Sequence, residues 1–221
     1  MFRRRIYFCY YRRMEFCRII VLLFVGAAAV WPFPVRGGDV GDSRSRFIAG
    51  QFLVASPGMA DPRFKETVIY MIGHDAKGAM GLVINRPFGS GRLSKMMEGF
   101  GINTNGVEAA GDAISLYYGG PVEPGRGFVL HSGDYSGPGV SAISDEVSLT
   151  SRLEILDAIA KGEGPRHSLV ILGYAGWGAG QLEHEMARDD WTTAPADLGL
   201  IFSDDPKSTW ERVTKLSGVE L

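Results

Sequence analysis

The amino-acid sequence predicts an α+β fold with a mixed β-sheet, and two patterns predict it. In the first half of the chain, continuous apolar runs are joined by short loops, which is typical of strands that pair directly with one another. In the second half, apolar runs are separated by segments with helical periodicity. A regular βαβ array would show the second pattern throughout, so the mixture favours α+β.

Three strands are predicted first along the chain. Gln51–Ala55 is strand-like and ends at the breaker Ser56-Pro57-Gly58. Thr67–Ile72 and Ala79–Ile84 are continuous apolar runs, which suit strands covered on both faces. We expect His74–Gly78 to form the hairpin loop between them.

The middle of the chain predicts one helix and two further strands. Apolar side chains within residues 93–100 recur at i, i+3, i+4 and i+7, which predicts a short amphipathic helix. A polar loop is expected over Asn103–Asp112. Ser115–Tyr118 and Gly127–His131 follow as predicted strands, separated by Gly119-Gly120-Pro121.

The next elements alternate between helix and strand. Ser151 and Glu154 have the spacing of a capping box, which predicts a helix that ends at Gly162. Ser168–Tyr174 reads as a buried strand, and a glycine-rich turn leads from it to a predicted helix over Gln181–Arg188.

The C-terminal region predicts a late strand and a last helix. Leu198–Phe202 is the predicted strand. Asp205-Pro206 is typical of a helix start, and Gly218 of a helix end. We expect the last helix to bury Trp210, Val213 and Leu216.

Charge separates the chain into two parts. Residues 1–46 carry nine Lys/Arg and three Asp/Glu, a net charge of +6, whereas the whole chain carries −2, so residues 47–221 carry −8. An acidic domain repels the phosphate backbone that supplies most nonspecific nucleic-acid affinity, which disfavours direct DNA binding. Both cysteines, Cys9 and Cys17, lie in the basic part. We therefore expect residues 47–221 to form one domain without a disulfide or a cysteine-based metal site.

The first 46 residues have two interpretations. Arginines followed by the apolar run Ile19–Val30 resemble a secretory signal, and the run is short for a transmembrane helix. A start codon assigned too far upstream would also produce such a leader. The domain would be exported or membrane-anchored in the first case and cytoplasmic in the second.

One nucleotide-binding pattern and one metal-binding pattern are present but incomplete. Gly173–Gln181 lies between a predicted strand and a helix, where phosphates often bind, but Gln181 stands where a Walker A motif needs Lys and a dinucleotide fingerprint needs Gly. In Glu183-His184-Glu185 adjacent side chains point about 100° apart on a helix, and the i+4 partner of His184 is Arg188. We expect neither a cofactor nor a transition metal.

His131, Ser132 and Asp134 supply the residue types of a Ser-His-Asp triad. Three residues this close in sequence rarely converge as a triad, and the chain has no G-x-S-x-G elbow. No catalytic residue is therefore predicted from a motif.

Several ordered segments together resemble the bacterial YqgE/AlgH family, over about Phe47 to Val219. The segments are Gly50–Ala55, Pro57–Met59, Asp61–Phe64, Gly78–Pro87, Gly119–Val122, Arg126–His131, Gly173–Trp177, Gly180–Glu183, and Trp191 with Ala194–Asp197. The resemblance implies a branched sheet, part of it closed into a small barrel surrounded by helices. It implies no established enzyme activity, a transcriptional-regulator label and a cytosolic location. Because relatives begin near the equivalent of Phe47, it also favours the misassigned start.

The leading hypothesis is a non-catalytic binding or regulatory module that acts on a protein partner or a small anionic ligand. Its candidate surface consists of residues at strand ends and turns, where binding residues tend to lie. These are Asn85, Arg86, Gly119, Gly120, Pro121, Arg126, His131, Trp177, Gln181 and Glu183.

Two alternatives remain open. One is an enzyme with His131 as base and Arg126 holding an anionic substrate. This alternative requires His131, Arg126 and Glu183 to share one pocket. The other is the direct transcriptional regulator that the family label suggests.

Overall fold

The computed structural model describes residues 47–92, 95 and 113–219. The basic leader, the helix predicted over residues 93–100 and the loop predicted over Asn103–Asp112 lie outside the described residues.

The described part contains ten strands and four helices. The strands are β1 (Phe52–Ala55), β2 (Val68–Asp75), β3 (Gly78–Val83), β4 (Pro87–Arg92), β5 (Ala113–Tyr118), β6 (Val122–Ser132), β7 (Ser141–Ala142), β8 (Val147–Thr150), β9 (Ser168–Gly178) and β10 (Trp191–Ala194). The helices are α1 (Glu154–Ala160), α2 (Gln181–Met186), α3 (Leu198–Ile201) and α4 (Pro206–Leu216). Among these helices, none has the length and apolarity that crossing a membrane requires.

The ten strands form one mixed sheet that curls into a half-barrel, so the predicted α+β class is confirmed. The main path runs β10-β1-β2-β3-β9-β6-β8-β7, and β4 and β5 leave this path as a branch. All strand pairs are antiparallel except β5 with β9.

Strand β9 is the branch point of the sheet. Along one edge it pairs with β6. Its other edge is shared, because β5 pairs with Val170–Leu172 and β3 pairs with Ala175–Gly178. Gly173 lies between the two stretches with φ +73°, a left-handed conformation that glycine adopts without strain.

The chain crosses directly over β9 between β5 and β6. Tyr118 at the end of β5 pairs with Leu172 on one edge of β9, and Val122 at the start of β6 pairs with Tyr174 on the other. Gly119-Gly120-Pro121 covers this distance. A Cβ atom on Gly119 would lie 2.3 Å from the Gly173 carbonyl oxygen, and one on Gly120 would lie 2.2 Å from the Tyr174 carbonyl carbon. These glycines therefore allow backbone to pack on backbone.

The sheet has apolar cores on its faces, and the helices cover them. Phe128 and Leu130 of β6 belong to the core that also contains Val213 of α4. Val129, which points to the opposite face, packs with Ile155 and Leu156 of α1. Alternating side chains of β6 thus serve two different cores, which fixes its register.

Several local predictions are wrong, each for a physical reason. Leu198–Phe202 is not a strand: Asp197 caps α3 by accepting a hydrogen bond from the Leu200 amide at 2.9 Å, and a five-residue apolar run does not separate helix from strand. Ser151 does not cap α1, which begins after Leu153 without a side-chain cap. Most of the predicted glycine-rich turn is strand, because β9 extends to Gly178 and only Ala179-Gly180 turns.

The predicted ends of α4 are confirmed, but the predicted burial of Leu216 is wrong. The Asp205 carboxylate accepts from the Ser208 amide, Pro206 opens the helix, and Gly218 follows it with φ +78°. Val213 is buried, but Leu216 is 56% exposed in the last turn. The predicted hairpin loop is also shorter, since only Ala76-Lys77 lies between β2 and β3.

Candidate functional site

Asn85 ties the start of β2 to the end of β3. Its side chain is buried, its Oδ1 accepts from the Val68 amide at 2.9 Å, and its Nδ2 donates to the Glu66 carbonyl at 2.9 Å. Glu66 has φ +56°, which is unusual for a residue with a side chain. Asn85 therefore holds the chain in a sharp turn just before β2.

Arg86 holds the same loop from its other side. Its guanidinium donates to the Arg63 carbonyl at 2.7 Å and to the Lys65 carbonyl at 2.5 Å. Burial is the main cause that lowers the pKa of Arg86 below its ordinary value, and the group stays charged near neutral pH. No carboxylate in the described ranges lies within ion-pair distance of it, although the more distant charge of the Glu66 carboxylate partly opposes the shift. Its positive charge is thus half-buried and not neutralised by a contact.

The Asp61–Glu66 loop is also braced from within. The Asp61 carboxylate accepts from the Arg63 amide at 2.9 Å and pairs with its guanidinium, which lowers the pKa of Asp61. Thr67 donates its hydroxyl to the Phe64 carbonyl at 2.6 Å, and the Phe64 ring packs edge-on against Trp191. The loop is exposed yet held in one conformation.

The predicted residues Gly119, Gly120 and Pro121 form the crossing over β9. The segment is adjacent to Arg86, because the Tyr118 amide donates to the Arg86 carbonyl at 2.9 Å and the Val83 amide donates to the Gly119 carbonyl at 3.0 Å. Asn85, Arg86 and the crossing therefore belong to one region of the fold. The glycines and the proline have a structural role there.

Arg126 lies in a large bulge of β6. Residues 123–126 stand opposite the single residue Gly173, and Glu123 has φ +44°. The Arg126 guanidinium pairs with Glu123 at 3.2 Å and lies 5.2 Å from the centre of the Phe128 ring. Its charge is already balanced by a carboxylate.

His131 is fully buried and lies on the other face of β6. Its Nδ1 lies 2.9 Å from the Ser132 carbonyl, which can only accept, so Nδ1 carries the proton and Nε2 is an acceptor. Nε2 has no hydrogen-bond partner in the part of the chain that is described. Arg126 points to the face of Phe128 and His131 to the face of Val129, so the two cannot act on one substrate.

Ser132, His131 and Asp134 do not form a triad. The Ser132 hydroxyl donates directly to Asp134 at 2.6 Å, and the His131 ring contacts the Ser132 backbone rather than its hydroxyl. Asp134 also accepts from the Arg166 amide, and these contacts lower the pKa of its carboxylate. The cluster links the end of β6 to the start of β9.

Unfolding measurements at two pH values test the burial of His131. Burial lowers the pKa of His131 below its ordinary value of 6.5, so below about pH 6.5 the unfolded chain binds more protons than the folded chain. We expect the free energy of unfolding to have its full value above that pH and to decrease as the pH falls toward about 5. Urea unfolding of His131→Gln should show a weaker loss between the two pH values. His184→Gln, at an exposed site, is the control and should keep the slope of the unchanged chain. An equal slope in His131→Gln would contradict this assignment.

Glu185, which was considered above only as part of a metal-binding pattern, organises a group of residues around Trp177, Trp191 and Gln181. Glu185 Oε2 accepts from the Trp177 indole at 2.8 Å and from the Trp191 indole at 2.9 Å, and Oε1 accepts from the Gln181 amide at 2.9 Å. The Gln181 Oε1 accepts in turn from the Gly178 amide at 3.1 Å. The i, i+4 spacing of Gln181 and Glu185 was the available signal.

Glu183 contacts a different partner. Its Oε1 lies 3.4 Å from Nε2 of the buried His74, a long contact, while His74 Nδ1 accepts from the Ile48 amide at 3.3 Å. Since Nδ1 accepts, Nε2 carries the proton, but its contact with Glu183 lacks hydrogen-bond geometry, and Nε2 has no hydrogen-bond partner among the described residues. Glu183 thus connects α2 to β2 and to the first described residues.

The predicted surface residues therefore lie in separate parts of the fold. His131 pairs with Ser168 at one end of β9, and Trp177 lies near its other end, about 30 Å away at strand rise. The single pocket of His131, Arg126 and Glu183 that the enzyme alternative requires is not formed. Within residues 47–92 and 113–219, no three His, Cys, Asp or Glu side chains are grouped as a metal site would need.

A protein-family model described as AlgH-like matches residues 52–221 of this chain. A UPF0301 protein of Methylococcus capsulatus is 49% identical over 173 residues, covering 78% of this chain and 93% of its own length. A UPF0301 protein of Rhodospirillum rubrum is 43% identical over 174 residues, covering 79% and 89%.

Two solved structures resemble the fold. The solution structure of the AlgH protein from Pseudomonas aeruginosa has a TM-score of 0.67 and 39% identity, and it covers 82% of this chain and 94% of that one. A crystal structure from Corynebacterium diphtheriae has a TM-score of 0.58 at 19% identity, covering 76% and 86%, and bears on the fold alone.

Proposed function

The chain belongs to the AlgH-like family, and we propose that it acts as a non-catalytic binding module. The module recognises an acidic group, carried by a partner protein or by a small anionic ligand, at the Asp61–Glu66 loop. This proposal narrows the predicted surface to Asn85, Arg86 and the exposed cation Lys65, which the sequence analysis did not include.

The guanidinium of Arg86, which no described carboxylate contacts, is the observation that carries the proposal. A guanidinium has five N–H donors, and the two loop carbonyls use two of them. The free donors and the positive charge suit a carboxylate or a phosphate. Six other described bases, by contrast, already pair with carboxylates: Arg63, Arg126, Arg152, Lys161, Arg166 and Arg188.

Pre-organisation of the loop also supports binding. Four side chains, from Asp61, Thr67, Asn85 and Arg86, hold the backbone of a loop whose residues are mostly exposed. A loop that is already ordered loses less conformational entropy when a partner binds. Binding residues are often placed on such loops above a rigid scaffold.

The two other functions have less support. An enzyme that uses His131 and Arg126 would need both side chains on one face of the sheet. A direct transcriptional regulator would have to bind DNA with a domain whose net charge is −8. We therefore propose that any regulatory effect operates through a protein or ligand contact.

Charge reversal at Lys65 tests the proposal. We expect Lys65→Glu to weaken capture of acidic partners about tenfold, because it replaces a positive charge of the loop that Arg86 holds with a negative charge, which repels an acidic partner. The matched control is Lys77→Glu in the exposed β2–β3 turn, with the same change in net charge. The measurement is quantitative affinity capture by the full chain from a lysate of the source organism. Equal capture by all three forms would contradict the proposal.

A further inference from the structure

Over residues 87–91, one edge of strand β4 has no described strand beside it. It pairs with β5 along one side, and no other described strand pairs with it. Five of its six residues are exposed, and Phe88 is 57% exposed. An edge with unpaired backbone groups and an exposed aromatic side chain can accept a further strand.

The unpaired edge begins at the Asp61–Glu66 loop. Just before β4 the chain is paired on both sides: the Ile84 amide donates to the Val68 carbonyl, and the Tyr118 amide donates to the Arg86 carbonyl. Beyond Arg86 the β5 side continues as a ladder, whereas on the other side the chain turns away at Glu66. No described residues therefore run alongside β4 on the side where β2 lies beside the preceding residues.

We propose that an extended, acidic segment of a partner protein adds to β4 as a new strand, with its acidic residues toward Lys65 and Arg86. This inference rests on the proposed function and names the form of its partner. Strand addition gives affinity through main-chain hydrogen bonds and specificity through alternate side chains.

The positive charges at the start of this edge favour an acidic segment. Lys65 and Arg86 lie at the start of the edge, and neither forms an ion pair with a described carboxylate. A strand laid along β4 brings one of its ends to these two cations, where Asp or Glu is favourable. Phe88 offers a cross-strand contact to a β-branched or aromatic residue of the added strand.

The test selects twelve-residue peptides from a random display library on the full chain and measures the affinities of the recovered peptides. We expect sequences rich in β-branched residues, with Asp or Glu at one end and without proline. Phe88→Asp and Lys65→Glu should each weaken their binding about tenfold. Bound peptide should slow amide hydrogen exchange over residues 87–92.

Two matched variants serve as controls. Leu216→Asp changes a second large exposed apolar residue of the described part, which is 56% exposed in α4, and Lys77→Glu repeats the charge change away from the edge. Both should bind the peptides as the unchanged chain does.

The outcomes separate this inference from the proposed function. Binding that is lost in Lys65→Glu but kept in Phe88→Asp, without protection of β4, overturns strand addition and leaves the acidic site standing. Peptides that bind equally to all variants, or that contain helical or proline-rich motifs, also overturn it. Failure to enrich any peptide overturns strand addition, while lysate capture separately decides the proposed function.

Discussion

A chain with alanine at position 120 is expected to lose about 4 kcal/mol or more of unfolding free energy, or to fail to fold. Gly120 has φ +149°, which L-residues rarely adopt, and its Cβ would lie within 2.2–2.4 Å of three backbone atoms of Tyr174 and Ala175. Backbone cannot yield as a flexible side chain can, so the crossing over β9 would have to separate from the strand.

Urea unfolding of Gly120→Ala and of a matched glycine variant measures this effect. Gly58→Ala is the control, because a Cβ at Gly58 meets no atom within 4 Å. We expect the control to stay within about 0.5 kcal/mol of the unchanged chain. A cooperative transition of near-normal midpoint in Gly120→Ala would show that the crossing tolerates a side chain.

Glu185→Ala is expected to destabilise the domain by about 3 kcal/mol, the second-largest effect. The substitution leaves the indole N–H groups of Trp177 and Trp191 without their acceptor, and these side chains are only 7% and 3% exposed. Each unsatisfied buried donor costs about 1–3 kcal/mol, and water recovers part of this at the half-exposed side of α2.

Tryptophan fluorescence follows the unfolding of this variant directly. Glu185→Gln keeps an acceptor oxygen but not the charge, so we expect an intermediate loss of about 1 kcal/mol. Glu211→Ala, at an exposed position of α4, should leave the midpoint within experimental error. An unfolding midpoint of Glu185→Ala equal to that of Glu211→Ala would show that the carboxylate does not hold the two indoles in solution.

Long apolar runs predicted the fold well because their burial is decided locally. The strands at Thr67–Ile72 and Ala79–Ile84 were recovered as β2 and β3, and the Asp205-Pro206 start of α4 was confirmed. Strand β4 was missed because its exposed sequence PFGSGR has little apolar signal, and only pairing with β5 makes it a strand. Strand β9 was predicted too short because its glycines resemble a turn in sequence, and only their pairing with β3 makes Gly176 and Gly178 part of a strand.

The candidate site was less predictable, since it depends on contacts between residues far apart in sequence. Arg86 was selected for its place at a strand end, but its two carbonyl partners lie 21 and 23 residues away. Arg126 and His131 seemed to be one pair because they share a strand, and the bulge and pleat of β6 place them on opposite faces. The role of Glu185 as an acceptor for two indoles was not predicted, because its partners come from two strands and one helix.

The central position of β9 has a consequence for protein synthesis. On the ribosome, β1 to β8 emerge before the strand that joins three of them, and translation adds only about 5–20 residues each second. During that interval β3, β5 and β6 lack their common partner and present unpaired backbone edges. Nascent chains stalled before Ser168 should therefore depend on chaperones, and release of β9 from the exit tunnel should be the step that commits the domain to its fold.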